Sequence, residues 1–177
     1  MISNFSNLKK EQIFSWLEKF TKLNTYEISI PGLKDSDLVP SGKTGMIISL
    51  LAEYDLFKEI QKSGWLKEFV SEMENRIIDV ISGAIYPTLK DNIIARFSFS
   101  PLNIENRVGS SEGAIVGWAF EKAMPIVNKI QYSNSSVITP IPSVYQAGKW
   151  TYSPTGVPMS ILTGKLAADR IIKKMKA

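Results

Sequence analysis

Residues 143–172 read SVYQAGKWTYSPTGVPMSILTGKLAADRII, and this stretch decides the fold that the sequence predicts. A strand-like run ends at Ala147-Gly148, an aromatic loop follows, and a helical pattern opens at Pro158. Proline in the first turn of a helix costs no hydrogen bond, and its fixed φ favours helix entry. The stretch therefore predicts a strand over 141–148, a loop, and a helix with one apolar face formed by Val157, Ile161, Leu162, Ala168, Ile171 and Ile172.

The beginning of this helix allows two interpretations. The first N–H groups of any helix lack internal partners, and Gly156 would let a planar group lie against the backbone. An acceptor-rich ligand would suit that end. Alternatively, Thr155 or Gly156 caps the helix, water satisfies the other donors, and the small residues only allow close packing on a sheet; these are Gly164, Ala167 and Ala168.

Composition restricts the chemistry that the chain can perform. The 177 residues are 44% apolar and 21% charged, which is typical of one ordinary globular domain or two small lobes. There is no Cys and no His, so thiolate nucleophiles, His-based triads and the usual Cys or His metal sites are excluded, and we expect no metal. The sequence contains no Gly-rich phosphate loop. No residue stands out as a general base, so the catalytic residues are unknown.

Charge and hydropathy predict a cytoplasmic protein. The longest apolar run, residues 46–52, is far shorter than the roughly 18 residues that a membrane helix needs, and the N-terminus lacks the apolar stretch of a signal peptide. The net charge is +4, and Lys residues crowd the last helix. Cations near a helix C-terminus are favoured by its dipole, so we expect no nucleic-acid partner, although an anionic membrane patch is the competing interpretation.

The remaining elements follow from periodicity. Helices are predicted over 8–20 and 65–81 because apolar residues recur at helical spacing. Strands are predicted over 25–30 and 44–54, as a pair, and the second reads as covered on both faces. A further strand is predicted over 92–101, followed by polar chain over 102–111 and a weak, loop-like pattern over 127–136. Gly113 and Gly117 indicate close backbone approach, to another segment more often than to a ligand.

The closing residues resemble a known family of flavoproteins. VYQAGKWTYSPTGVPMSILTGKLAADRI, residues 144–171, is similar to the closing FAD-binding motif of the phytoene desaturase, carotenoid isomerase and retinol saturase group. That motif is a strand, Ala-Gly, a polar residue, a variable loop, Gly-Val-Pro, and a helix with Ser/Thr-Gly and Ala-Ala. Residues 26–54 resemble the family's paired substrate-domain strands, and residues 100–118 its segment leading back towards the flavin. The family's N-terminal Gly-rich Rossmann turn is absent here.

The resemblance implies an α+β fold and the C-terminal portion of a longer flavoprotein. A mainly antiparallel substrate-domain sheet with packing helices would occupy residues 1–140. Residues 141–177 would supply the terminal strand and helix of a Rossmann-like FAD-binding domain whose N-terminal part is absent. The function implied is hydride transfer between FAD and carbon–carbon bonds of a polyene or isoprenoid-like substrate, and the flavin carries that chemistry. We expect this chain alone to bind little FAD and to be inactive.

The resemblance also places the cofactor residues. Gly148 and Lys149 would lie near the ribityl chain, although a Lys cannot accept a hydrogen bond from a ribityl hydroxyl where relatives carry acidic or amide residues. Gly156, Val157, Pro158 and Met159 would face the N1–C2=O edge of the flavin. Trp150 and Tyr152 would line the flavin or substrate pocket, or would fill a core gap, and Glu112 would either approach the substrate or be a solvated surface residue.

The expected partners are a missing N-terminal Rossmann portion or partner subunit and an apolar small-molecule substrate. A homodimer through the exposed apolar helix face and peripheral membrane contact are further expectations. The alternative function is a non-catalytic module that binds an apolar ligand or a subunit and lacks an FAD site of its own.

Overall fold

A computed structural model describes residues 9–118 and 126–176. The chain divides into two compact units, residues 1–113 and residues 114–177, which are described separately. The boundary predicted at residue 140 separates a substrate-domain lobe from part of an FAD-binding domain, and it stays a prediction. Leu8, the predicted start of the first helix, lies outside the described residues, as does the stretch 119–125 that follows the Gly117 motif.

The first unit is mainly helical. Its helices are α1 (Lys10–Leu23), α2 (Tyr54–Lys62), α3 (Leu66–Ala84) and α4 (Pro101–Val108), and its strands are β1 (Glu27–Ser29) and β2 (Ile47–Ser49). Short 3-10 turns lie at Pro31–Leu33, Ser36–Leu38, Lys90–Asn92 and Ser111–Gly113. In the second unit a 3-10 segment, Ile130–Ser135, is followed by the long helix α5 (Val157–Met175).

The core of the first unit forms where the apolar faces of its helices meet. Leu17 of α1 and Phe69 of α3 are fully buried, and the ring of Phe57 from α2 meets Phe69 edge to face at 5.5 Å. Such ring pairs stabilise a core beyond the area that they bury. The predictions of helices over 8–20 and 65–81 are confirmed in the described residues, since the apolar spacing that suggested them forms this core. The buried set is Ile13, Leu17, Leu56, Phe57, Ile60, Phe69, Met73 and Leu102.

The predicted strand pair is confirmed, and its predicted burial is wrong. β1 and β2 are antiparallel, with Ile28 opposite Ile48. However, Ile47 is exposed and Ile48 is only half-buried. The sheet has only these two strands in the described part of the chain. The apolar run was misread because its last residues do not continue the strand: Tyr54 already begins α2.

The segment around α4 differs most from the sequence prediction. No strand forms over 92–101, and the polar chain predicted over 102–111 contains α4 instead. The Ser100 hydroxyl accepts from the Asn103 N–H at 3.3 Å, while the Asn103 side chain accepts from the Ser100 N–H at 3.0 Å. This reciprocal cap satisfies two donors that a helix start leaves free. The helix ends at Gly109, whose φ of 69° is left-handed.

A hydrogen bond joins α2 to α4. The Tyr54 hydroxyl donates to the Glu105 carboxylate at 2.6 Å. This bond, with a smaller contribution from desolvation, raises the pKa of Tyr54 above its usual value. The phenol that joins the two helices therefore stays neutral to higher pH than a free tyrosine.

The second unit has fewer regular elements than predicted. The strand predicted over 141–148 is wrong: only an isolated antiparallel bridge, Ile138 to Tyr145, forms there, and Val127 makes a parallel bridge with Tyr152. The predicted helix is confirmed as α5. Its apolar face is exposed, as expected, with Val157 at 74% and Ile161 at 68% exposure. The buried positions of α5 are Thr163 and Ala167.

Within the described ranges, no helix is both long and apolar enough to cross a membrane.

Candidate functional site

The candidate site is the beginning of α5 together with the turn at Gly148, both in the second unit. The N-cap of α5 is Gly156, and no side chain caps the helix. The first helical bond runs from the Ser160 N–H to the Gly156 carbonyl at 2.9 Å. Pro158 has no N–H, so the free donors of this turn are those of Val157 and Met159, which have no hydrogen-bond partner within the described ranges. The helix therefore begins with unsatisfied donors.

The N-terminus of α5 is open at Gly156. Its φ of 173° is extended backbone that any residue adopts. A Cβ placed there would meet only the Pro158 Cδ, at 3.8 Å, which is ordinary van der Waals contact. Val157 and Pro158 are exposed, and Met159 is half-buried. Nothing in the packing of the described residues therefore requires a glycine at position 156, and the bare backbone leaves room for a flat group.

Thr163 fixes the Gly148 turn against the start of α5. Its hydroxyl is fully buried and accepts from the Gly148 N–H at 3.0 Å. The same hydroxyl lies 2.9 Å from the Met159 carbonyl and 3.1 Å from the Ser160 carbonyl, to which it donates. Gly148 has a φ of 98°, which favours glycine. One side chain thus brings together the two parts of the site that the sequence placed on either side of an aromatic loop.

Lys149 is directed to this chain's own backbone. Its Nζ donates to the Ala114 carbonyl at 2.9 Å and lies 5.4 Å from the centre of the Trp150 ring. A Lys ammonium over an aromatic face is attracted by the ring quadrupole. The expected contact from this side chain to a ribityl hydroxyl would compete with both interactions.

The two aromatic residues of the loop have different surroundings. Tyr152 is buried and forms the bridge with Val127, so the core-filling interpretation fits its position. Trp150 is exposed; its ring meets Trp118 edge to face at 5.6 Å, and its carbonyl accepts from the Trp118 indole N–H at 3.0 Å. Trp150 is therefore the aromatic side chain of the loop that remains open to a ligand.

Gly117 allows its backbone to approach the aromatic loop closely at Lys149. Its φ is 86°, and a Cβ would come within 2.2 Å of the Lys149 carbonyl. Gly113, in the first unit, has a φ of 64° and would place a Cβ 2.2 Å from the Pro101 carbonyl. The prediction that both glycines permit contact with another chain segment is confirmed. Glu112, beside Gly113, is exposed.

Sequence reasoning missed Thr163 and Trp118 as parts of this site. Thr163 appeared in the sequence as the Thr of the Ser/Thr-Gly pair of the motif, but no role was given to its side chain. It lies four positions after Met159, and this spacing permits a bond back to the preceding turn. Trp118 lies 32 positions before Trp150, and no local pattern connects them.

A small cleft lies beside the site in the second unit. Its volume is about 220 Å³, and its lining mixes Val127 and Ile138 with Ser136 and Gln146. Ligand pockets usually measure roughly 300–1,000 Å³ and are mostly apolar. This cleft is too small and too polar to hold a long apolar substrate.

Comparison with known proteins gives distant relatives. The chain is 24% identical over 152 residues to "4,4'-diapophytoene desaturase (4,4'-diaponeurosporene-forming)" of Staphylococcus aureus strain Newman, and equally to the protein of the same name in strain USA300. Each match covers 84% of this chain and 29% of the relative, so the chain spans less than a third of the relatives' length. No protein-family model matches the chain. The similarity supports a distant phytoene desaturase-like relationship.

Proposed function

We propose that this chain is the C-terminal portion of an FAD-dependent oxidoreductase that acts on carbon–carbon bonds of a polyene or isoprenoid-like substrate by hydride transfer to or from the flavin. The observation that carries the proposal is the uncapped, open start of α5 at Gly156, fixed beside the Gly148 turn. The desaturase similarity supports the substrate class. The reaction direction is left open, so desaturation, saturation and isomerisation all fit.

The bound flavin would supply the hydride chemistry, and this chain would supply electrostatics and positioning. In the proposal the N–H groups of Val157 and Met159 point at the N1–C2=O edge of the ring. A helix N-terminus stabilises a nearby negative charge by roughly 0.3–2 kcal/mol. For a two-electron couple, about 1.4 kcal/mol corresponds to 30 mV, so the upper end raises the reduction potential by roughly 40 mV. These residues would therefore tune the cofactor rather than transfer protons.

Gly148 and Lys149 would play unequal parts in holding the ribityl chain. The Gly148 turn is fixed by Thr163, and its half-buried backbone leaves one side without a side chain. The Lys149 ammonium is already paired with the Ala114 carbonyl. We therefore assign the ribityl contact to the backbone at Gly148 and give the Lys149 side chain a supporting role in the loop. Trp150, which is exposed, would lie beside the ring or the substrate, whereas Tyr152 would pack behind it.

The proposal requires a Rossmann portion from elsewhere, because the pyrophosphate of FAD needs a Gly-rich turn. Residues 141–177 would then belong to the FAD domain and residues 1–140 to the substrate lobe. The exposed apolar residues of α5, such as Val157 and Ile161, would pack against that Rossmann portion. Burial of such side chains contributes about 1.5–3 kcal/mol each.

A mixing experiment tests the proposal. The 177-residue chain is combined with the part of the Staphylococcus aureus desaturase that lies outside the matched region, and FAD is added. We expect a yellow complex with stoichiometric flavin, and conversion of 4,4'-diapophytoene followed by the absorbance of the lengthened polyene. The chain alone should retain little flavin on gel filtration. Tight stoichiometric FAD binding by the chain alone, or no uptake in any mixture, would contradict the proposal.

The alternative is a non-catalytic module for an apolar ligand or a subunit. The exposed apolar side of α5 favours the subunit version, and the same surface would serve a homodimer. A stable complex or dimer that never takes up FAD would support this alternative. Peripheral membrane contact is a separate proposal, and liposome flotation with and without salt tests it.

A further inference from the structure

Residues 93–99, IIARFSF, form an unpaired segment in the first unit. No helix, turn or bridge occurs from 93 to 100. Ile93, which begins the segment, and Ser100, which directly follows it, have extended backbone angles. Within the described ranges none of its backbone N–H or carbonyl groups makes a backbone hydrogen bond. The segment thus presents seven donors and seven acceptors that have no backbone partner in the described residues.

The side chains of the unpaired segment are those of a β-strand. Ile and Phe are enriched in strands, and Ser98 separates the two Phe residues in the alternating pattern of a strand. Ile94, Phe97 and Phe99 are 76%, 83% and 53% exposed, and the two Phe rings meet edge to face at 5.8 Å. Phe97 and Phe99 are two positions apart, so in a strand they would lie on the same face.

Two side chains of the unpaired segment contact the helices of the unit. The Arg96 guanidinium donates to the Asn75 side chain at 2.7 Å and lies 3.4 Å from the Glu74 carboxylate, both on α3. In addition, the Arg107 guanidinium of α4 lies 5.4 Å from the centre of the Phe99 ring. The segment is therefore held at defined points by its side chains while its backbone stays available.

We propose that residues 93–99 are a β-strand that pairs with a strand supplied by polypeptide outside this chain. An exposed extended segment with apolar side chains and free backbone groups is a template for strand pairing, and native proteins cover such segments. The source of the second strand rests on the proposed function, in which a longer flavoprotein contributes the rest of the sheet. The relatives have the necessary length, since the match spans only 29% of each.

A second copy of this chain fits the segment less well. Antiparallel self-pairing over the whole of 93–99 places residue 96 opposite itself, so two Arg96 side chains would face each other. Like charges directly opposite one another destabilise a strand pair. Self-pairing would also compete with the ion pair that Arg96 makes with Glu74.

Amide hydrogen exchange read residue by residue by NMR tests the pairing. The 177-residue chain is measured alone and after mixing with the part of the Staphylococcus aureus desaturase outside the matched region. A strand added at one edge bonds alternate N–H groups only. We therefore expect exchange to slow at least about tenfold at either the odd or the even positions of 93–99, with smaller change at the others.

Matched substitutions locate the contact. Phe97→Asp should weaken the complex at least about tenfold, because it places a charge in the new apolar contact. Leu33→Asp is the control, since Leu33 is 81% exposed, close to the 83% of Phe97, in the same unit. It should leave the complex unchanged. Both variants should keep the circular dichroism of the unmodified chain.

The outcomes separate this inference from the flavin proposal. Slowed amide exchange at alternate positions of 93–99 without FAD uptake supports the strand inference and refutes the flavin site. FAD uptake with residues 93–99 still unprotected overturns the strand inference and leaves the flavin site. The inference is also overturned if no complex forms, if Leu33→Asp weakens it equally, or if the chain alone already shows the protection as a dimer.

Discussion

Replacing Gly156 by Ala separates the demands of the fold from those of a ligand. Among the residues that the structure describes, an added methyl would meet only the Pro158 Cδ at 3.8 Å, and the backbone angles suit any residue. Ala is a poorer N-cap than Gly, by up to about 1 kcal/mol. Ala also lowers the entropy of the unfolded chain, which stabilises the fold by about 0.4–1 kcal/mol. The two effects offset one another, so the free energy of unfolding should change by less than about 1 kcal/mol.

A ring lying flat against the backbone at Gly156 would meet the same methyl directly. Overpacking of this kind costs about 1–3 kcal/mol. At about 1.4 kcal/mol per tenfold, the dissociation constant for FAD should rise roughly 5- to 150-fold. The Tm should meanwhile move by no more than about 4 °C.

The assay is flavin fluorescence titration of the reconstituted complex, together with thermal unfolding of the chain alone. Gly83→Ala is the control: its Cβ would have nothing within 4 Å, and it lies in α3 of the other unit. That variant should gain about 0.5–1 kcal/mol of stability and bind FAD normally. If Gly156→Ala binds FAD as tightly as the unmodified chain, the start of α5 does not lie against the flavin, and the reasoning from its open backbone is refuted.

Three further predictions concern stability. Thr163→Val should cost about 1–3 kcal/mol in urea unfolding because it leaves the Gly148 N–H without an acceptor. Thr21→Val should cost less, since its hydroxyl only donates back to its own helix, and equal losses would contradict the role of Thr163. Gly113→Ala should lower the free energy of unfolding by well over the roughly 1–2 kcal/mol expected for Gly109→Ala. Both glycines have a left-handed φ, but only a Cβ at position 113 would clash with a carbonyl. Similar urea midpoints for the two variants would refute this prediction. The raised pKa of Tyr54 means that its contribution to stability is complete below its usual pKa of about 10 and is lost as pH rises through its pKa in the folded state. Tyr54→Phe should therefore flatten the loss of stability at alkaline pH. Unchanged curves of unfolding free energy against pH would exclude the effect.

The sequence predicted the elements whose signals are local and repeated. The helices α1 and α3 carry apolar residues at regular helical spacing and were found within a few positions. The start of α5 was found because Gly-Val-Pro is a strong helix-entry signal. The site followed from the same stretch, since position 156 and the Gly148 turn are close in sequence.

The errors arose where no partner of a segment lies nearby in the described sequence, or where local signals were overlooked. Residues 93–99 have strand-forming side chains, yet no described segment pairs with them. The helix α4 was missed although its signals were present, with Ser100 at its N-cap and Gly109 at its end. The tryptophan pair at Trp118 and Trp150 had no sequence signal at all, because contact between distant residues depends on the fold.

The buried hydroxyl of Thr163 couples two parts of the candidate site. Because a single oxygen serves both the glycine turn and the first turn of the terminal helix, neither can be repositioned alone. In the proposed flavin complex, a substitution that alters how the ribityl chain is held would also shift the helix dipole that faces the ring, so in a series of such variants affinity and reduction potential should change together.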